Sequence, residues 1–168
     1  MRAGQGFDIH PFSDDPARAL VLGGVRLSGP GLSGHSDGDV VCHAIADALL
    51  GAAGLGDIGT LFPDTDPAWL GADSLVLLEG VFGRVSEAWS VLNVDCTVIA
   101  EVPALAPYRP KMEQRLSATL RAAVSVKAKR GEGLGAIGRQ EGIACLAVAL
   151  LEERRRPMNA VGYELSSL

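Results

Sequence analysis

Glycine placement constrains this chain more than any other feature of its sequence. Most of the 21 glycines among 168 residues gather between Gly23 and Gly38, between Gly51 and Gly59, and between Gly131 and Gly142. Such clusters interrupt regular structure and mark loops whose backbone runs close to other groups. What lies between them is a series of short elements, each legible from its apolar period. Gly4 to His10 reads as a first strand, and Val21 to Leu27, around Gly23-Gly24, as a hairpin-like piece. Ser36-Asp37-Gly38-Asp39 supplies N-cap residues for a helix in which Val41, Ile45, Ala48, Leu49 and Ala52 recur at helical spacing before Gly54 and Gly56. A second helix follows Asp73-Ser74, with Leu75, Leu78, Phe82 and Val85 as its buried stripe. Asn93 to Ala100 is rich in β-branched residues and predicts a strand. The prolines from Pro103 to Pro110 predict a rigid loop. Met112, Leu116 and Leu120 mark a third helix, Val124 to Ala128 a further strand, and Arg139 to Glu153 a strongly apolar last helix.

Strands interleaved with helices, without a linker, predict one α+β domain over 1–153. Its expected form is an α/β sandwich, a small mixed sheet with helices packed on one face. Residues 154–168 combine three arginines and Pro157 with few apolar side chains, and a mobile tail is expected there. At 48% hydrophobic and 21% charged residues, a domain of this size can fold without a staple. Cys42, Cys96 and Cys145 are odd in number and show no CxxC spacing, which argues against disulfides and a zinc knuckle. The net charge of −5 argues against a nucleic-acid partner. The longest apolar run, Ile143 to Leu151, falls short of the roughly 20 residues that span a bilayer. Asp8 and His10 precede any apolar leader segment, so a cytoplasmic chain without a membrane partner is expected.

The chemistry concentrates in two places. In Phe7-Asp8-Ile9-His10, strand alternation puts Asp8 and His10 on one face and directs Phe7 and Ile9 to the core. On the first helix, Asp39, His43 and Asp47 form a polar line at i, i+4 and i+8, with acids suited to orienting the second nitrogen of His43. Asp8, His10 and His43 together offer two nitrogens and one oxygen and leave a fourth tetrahedral position open, as catalytic zinc sites do. The plainer reading is a half-exposed strand beside a satisfied core histidine. His35-Ser36-Asp37-Gly38-Asp39 lies where free helix N–H groups favour an anion, or is simply a cap. Lys127, Lys129 and Arg130 lead through Gly131 to Gly138 into Arg139, a candidate phosphate cradle in which Glu132 could ligate Mg²⁺. Gly56 to Asp66 offers three carboxylates, although capping is the better reading for Asp66-Pro67.

Read together, Gly6-Phe-Asp-Ile-His10, His35-Ser-Asp-Gly-Asp39, His43-Ala, Gly56-Asp-Ile-Gly59, Leu61-Phe-Pro-Asp-Thr-Asp-Pro67, Gly71-Ala-Asp-Ser74 and Gly138-Arg-Gln-Glu-Gly-Ile-Ala144 resemble the 2-C-methyl-D-erythritol 2,4-cyclodiphosphate synthase family. The resemblance runs in order from residue 1 to about Leu151. It implies a homotrimer with its sheets around the threefold axis and active sites between subunits. The implied activity is that of a phosphorus–oxygen lyase of the non-mevalonate route to isoprenoid precursors. In it the 2-phosphate of 4-diphosphocytidyl-2-C-methyl-D-erythritol 2-phosphate attacks the terminal phosphorus of the diphosphate, giving the cyclic diphosphate and CMP. It further implies one Zn²⁺ per subunit on Asp8, His10 and His43, and Mg²⁺ (or Mn²⁺) at Glu132 with the substrate diphosphate.

By the same resemblance His35 and Ser36 hold the diphosphate, with Asp8 and His10 also in reach of substrate. Asp57, Ile58 and Gly59, with Phe62, Pro63, Asp64, Thr65 and Asp66, face the methylerythritol. Ala100, Pro103, Ala104, Leu105 and Ala106 align with the cytidine pocket, and Arg139 with an arginine near the trimer axis. Lys129-Arg130-Gly131 stands where the family usually has a threonine pair, which makes Arg130, with His35, the expected catalytic group. Ala104 and Leu70 replace common lysines, Gln5 a common histidine, and Ala136 a larger residue. The altered Lys129-Arg130 loop also feeds a competing reading, a non-catalytic trimeric paralogue that binds a related diphosphate. A zinc-dependent phosphoesterase is a third.

Overall fold

A computed structural model describes residues 1–154 of the chain. In chain order these form β1 (Arg2–Pro11), β2 (Ala19–Leu22), β3 (Val25–Pro30), α1 (Val40–Ala53), α2 (Ile58–Leu61), a 3-10 turn (Pro67–Trp69), α3 (Ser74–Val85), β4 (Trp89–Ile99), α4 (Arg109–Leu120), β5 (Ala123–Lys129), α5 (Gly135–Gly138) and β6 (Gly142–Glu153). The four-stranded sheet has the order β1-β6-β4-β5, with β6 antiparallel to both neighbours and β4 parallel to β5. It is a mixed sheet, as the α+β reading requires. α1 crosses β1 and β6, α4 covers β5, and α3 packs on α1 and α4, while β2 and β3 form a separate hairpin.

The apolar run expected as a last helix over Arg139–Glu153 is instead the strand β6, inside the sheet. Alanine and leucine favour helix as isolated residues, but Ile143, Cys145, Ala147, Ala149 and Leu151 alternate as a buried row. Both edges of the segment are taken by ladders to β1 and β4. Tertiary pairing overrides local propensity here. The expected proline loop is also shorter than its prolines suggest: α4 begins at Arg109 with Pro110 in its first turn, where the missing N–H has no helical partner to lose. Arg154, expected in the tail, donates its N–H to the Ala88 carbonyl at 2.9 Å; the rest of that tail lies outside the described residues. No helix among the described residues is long and apolar enough to cross a membrane.

Which face of β1 meets the helices is the reverse of the expectation. Gly4, Gly6, Asp8 and His10 face α1, whereas Phe7 and Ile9 are each 48% exposed on the far side of the sheet. Alternation decides which residues share a face but not which face is covered. The close approach of α1 decides that: a Cβ at Gly6 would collide with the Ala44 carbonyl oxygen, and one at Gly4 with that of Ala48. The contacts therefore run Gly4 to Ala48, Gly6 to Ala44 and Asp8 to His43, so α1 lies antiparallel to β1. Glycine lets the two backbones touch, and Asp8, His10 and His43 follow on the same face at the N-terminal end of the helix. That end is tied to the hairpin by buried Asp39, which accepts from the N–H groups of Gly23 (2.9 Å), Gly24 (2.7 Å), Val41 (3.0 Å) and Cys42 (3.2 Å).

Candidate metal centre

Asp8 Oδ2 lies 3.2 Å from His10 Nε2 and 2.9 Å from His43 Nδ1. One ligand atom from each of the three residues falls within 4.8 Å of the others. Two imidazole nitrogens and a carboxylate oxygen thus converge on one point, a donor set that could hold a metal ion. Burial works to raise the Asp8 pKa, but hydrogen bonds from His10 and His43, with their charge, outweigh it and hold the carboxyl below the usual range. The bond to Asp8 raises the pKa of His10 above 6.5 in spite of burial, and the facing Ser33 carbonyl adds to the effect.

The acids expected to orient His43 do something else. Asp39 caps α1 and holds the hairpin, and Asp47 accepts the N–H of Ile58 at 2.8 Å. Both carboxylates are taken by unpaired N–H groups at helix starts, which compete strongly for such acceptors. Serines orient the histidine instead: His43 Nε2 is 2.8 Å from Ser74 Oγ and 3.1 Å from Ser36 Oγ. Ser74 figured in the sequence as a helix start and the end of a family motif, with no role at the site. Arg18, which carried no sequence signal, donates from its guanidinium to the carbonyls of Leu32, Gly34 and Ser36 and so fixes the loop that carries His35 and Ser36.

A cavity of about 420 Å³ opens over the triad. Its walls include Asp8, His10, His35, Ser36 and His43 and, as expected, Ile58, Gly59, Phe62, Pro63 and Asp64. Asp47, Trp69 and Leu77 complete it and were not foreseen. Trp69 meets Phe62 edge-on with ring centroids 4.9 Å apart; a tryptophan in a chain with only 5% aromatic residues was the available signal. The cavity is therefore ionic at one end and apolar at the other. Three expected lining residues stand apart from it. Asp57 caps α2 through the N–H and hydroxyl of Thr60, which lower its pKa, Asp66 caps the 3-10 turn, and Thr65 is exposed.

A second cavity, of about 220 Å³, is lined by Ala100, Pro103, Ala104, Leu105, Ala106, Ala128, Lys129 and Arg130. It joins the expected cytidine-facing residues to the replaced threonine-pair positions. Strand register places it relative to the first: His10 pairs with Ile143, and the adjoining Ala144 pairs with Ile99, which pairs with Lys129. The two cavities share one end of the sheet but sit at opposite edges, three strand spacings or about 14 Å apart. The expected three-cation cradle does not form, because Lys127 is paired with Asp95 on the sheet. Arg139 is the C-cap of four-residue α5, not the start of a helix, and pairs with Glu141 at 2.6 Å. Gly131 donates its N–H to Glu101 Oε2 at 3.1 Å, and Glu132 is exposed; neither Glu132 nor Arg139 lines either cavity within this one chain.

A sequence model of the YgbB family matches residues 1–152. A 2-C-methyl-D-erythritol 2,4-cyclodiphosphate synthase of Bordetella avium (strain 197N) is 54% identical over 156 residues, covering 90% of this chain and 95% of that protein. Among solved structures, the bifunctional IspDF of Campylobacter jejuni superposes with a TM-score of 0.86 at 41% identity, covering 91% of this chain, which spans 42% of that longer one. The CDP complex of Plasmodium falciparum IspF gives a TM-score of 0.79 at 37% identity, covering 92% of this chain and 97% of the other.

Proposed function

This chain belongs to the YgbB family, and on that premise we propose that it converts 4-diphosphocytidyl-2-C-methyl-D-erythritol 2-phosphate into 2-C-methyl-D-erythritol 2,4-cyclodiphosphate and CMP. An oxygen of the substrate 2-phosphate bonds to the terminal phosphorus of the diphosphate, and the bond from that phosphorus to the oxygen of CMP breaks. A phosphate monoester has its second pKa at about 6 and is largely dianionic at neutral pH, so no side chain need act as base. The protein has to fold a flexible trianionic-to-tetraanionic substrate onto itself and neutralise the repulsion between its phosphates.

The residues divide that task. Asp8, His10 and His43 would hold one Zn²⁺ per subunit, and their donor set fits it; when bound, the ion would supply positive charge for the terminal phosphate oxygens. His35 and the hydroxyl of Ser36 grip the diphosphate from the mouth of the cavity. Ile58, Gly59, Phe62, Pro63 and Asp64 enclose the methylerythritol, with the apolar wall excluding water that would otherwise hydrolyse the diphosphate. Asp57, Thr65 and Asp66 shape that loop through capping and turns. At the second cavity Ala100 and Pro103 to Ala106 receive cytidine, Lys129 and Arg130 face its phosphates, and Gly131 leads the backbone to Glu132, whose carboxylate would hold Mg²⁺ (or Mn²⁺), a counter-charge for the diphosphate.

One observation supports a homotrimer with active sites between subunits. The far face of the sheet leaves Phe7, Ile9, Leu146 and Val148 between 38% and 50% exposed, a contiguous apolar surface of the kind that marks an interface. In such a trimer, a closed ring of head-to-tail contacts would set the β1-edge cavity of one subunit against the β5-edge cavity of its neighbour, uniting the two half-sites and bringing Arg139 toward the axis. The convergence of Asp8, His10 and His43 beneath an apolar-walled cavity carries the proposal. Relatives named as synthases or as a bifunctional enzyme do not favour a catalytically silent role. The test is incubation of purified protein with the cytidylated substrate. Equimolar CMP and cyclic diphosphate are expected; linear hydrolysis products would make the protein a phosphoesterase, and binding without turnover would make it a silent paralogue.

A further inference from the structure

The proton on Ser74 has one place to go, and this decides the chemistry of His43. Ser74 Oγ is 2.5 Å from Asp37 Oδ1, while the Ser74 N–H reaches Asp37 Oδ2 at 3.3 Å. A carboxylate only accepts, so the Ser74 hydroxyl donates to Asp37. Its oxygen then presents lone pairs to His43 Nε2, 2.8 Å away, and His43 must carry its proton there. Nδ1, which donates to Asp8 Oδ2 at 2.9 Å, is then the nitrogen whose proton a metal ion would displace, leaving its lone pair for the ligand cluster. Ser36 completes the arrangement. Its oxygen accepts from the N–H of Gly38 at 3.3 Å, and its own proton can turn either to Ser74 Oγ at 3.2 Å or into the cavity that it lines. A phosphate oxygen in the cavity is the stronger acceptor, because charge-assisted hydrogen bonds exceed neutral ones.

We propose that Asp37 and Ser74 are positioning residues that lock His43 in the Nε2–H tautomer, so that Nδ1 is the metal ligand, and that leave the Ser36 hydroxyl proton free for a phosphate oxygen. The inference rests on the reading of Asp8, His10 and His43 as a metal site. Its parts come from separate elements: Asp37 from the loop before α1, Ser74 from the first residue of α3, and His43 from α1. Ser74 is 1% exposed and Ser36 7%, so bulk water does not supply the missing partners. The relay also explains why the acids on the helix of His43 are not needed to orient its ring.

The experiment is zinc affinity by competition with a chelator, together with proton–nitrogen NMR of the zinc-loaded protein, for the parent, Ser74→Ala, Ser74→Thr and Asp37→Asn. The parent should show one His43 Nε2–H, protected from solvent exchange. Ser74→Ala should bind zinc roughly 10- to 100-fold more weakly, the range found when groups that orient a ligand are removed, and should lose the protection. Ser74→Thr, which keeps the hydroxyl, should restore both. Asp37→Asn, still an acceptor but without the charge, should fall between and serves if Ser74→Ala folds poorly. If Ser74→Ala, or Asp37→Asn and Ser74→Ala together, leave affinity and exchange at parental values, the relay is wrong while the metal site stands. If the parent binds no zinc, the reading of the triad falls first, and the relay with it.

Discussion

The cavity at the β1 edge and the cavity at the β5 edge lie on one row of the sheet yet are built on opposite plans. At the β1 edge each polar group is held by another: Asp8 by two histidines, His43 by two serines, Ser74 by Asp37, and the loop above by Arg18. At the β5 edge the walls are alanine, proline and leucine with exposed Lys129 and Arg130, and the nearby ion pair goes to Lys127 with Asp95. The contrast suits what each cavity is proposed to bind. A tetrahedral metal ion tolerates a few tenths of an ångström, so its ligands must be set before it arrives. A nucleotide diphosphate can be drawn by charge at several ångströms and then held by backbone, so the cations need reach more than rigidity.

The sharpest way to break the comparison is to remove the organised side. His43→Ala should lose most of its zinc by elemental analysis and lower turnover by roughly 10²- to 10³-fold, the scale of a lost transition-state charge contact. Its thermal unfolding should move far less, since His43 is not part of the hydrophobic core. Stoichiometric zinc in this variant would remove His43 from the ligand set.

Next in size is the link between the two edges. Leu146→Asp with Val148→Asp puts two charges on the far face of β6, where the single subunit is open to solvent. Folding should survive, but uncompensated charges in an interface cost about 3–5 kcal/mol each, so sedimentation should report dissociation and turnover should fall with it. A stable trimer with full activity would mean that this face is not the interface.

Acid should distinguish the two cavities without mutation. Asp8 raises the pKa of His10 above 6.5 in the metal-free protein, so below that raised value a proton must leave before a metal can bind. Zinc retention against a chelator should therefore be flat above it and fall on acidification, beginning above pH 6.5. Retention that is unchanged down to pH 5 would exclude His10 as a ligand.

The smaller effects concern the open side. Glu132→Gln should slow turnover about tenfold at saturating Mg²⁺ and leave zinc in place, because a shared carboxylate matters most as charge moves to the leaving phosphate. Parental rates at both low and saturating Mg²⁺ would reduce Glu132 to a loop residue. Lys129→Thr with Arg130→Thr should raise KM a few-fold at low ionic strength and flatten its dependence on salt, since exposed charges are screened. An unchanged salt slope with faster turnover would show that the two cations impair the site.

Much of this molecule is legible in its sequence. The alternation in β1 and the helical stripes of α1, α3 and α4 locate those elements, and β-branched content locates β4 and β5. Asp8, His10 and His43 can be named as a ligand set because residue type and spacing already restrict them. These are local properties, decided within a few residues by backbone period and capping.

Tertiary structure alone decided the rest. The run Ile143 to Leu151 fits the helical and the extended period equally well, and only the flanking ladders to β1 and β4 make it a strand. Alternation paired Phe7 with Ile9 correctly but assigned them the wrong face, because the choice belongs to α1 and the glycines that admit it. Ser74, Asp37, Arg18 and Trp69 reach their roles from separate elements, and no spacing along the chain encodes such a meeting. Sequence determines what each segment can offer; packing, which must satisfy every buried donor and acceptor at once, determines which offers meet.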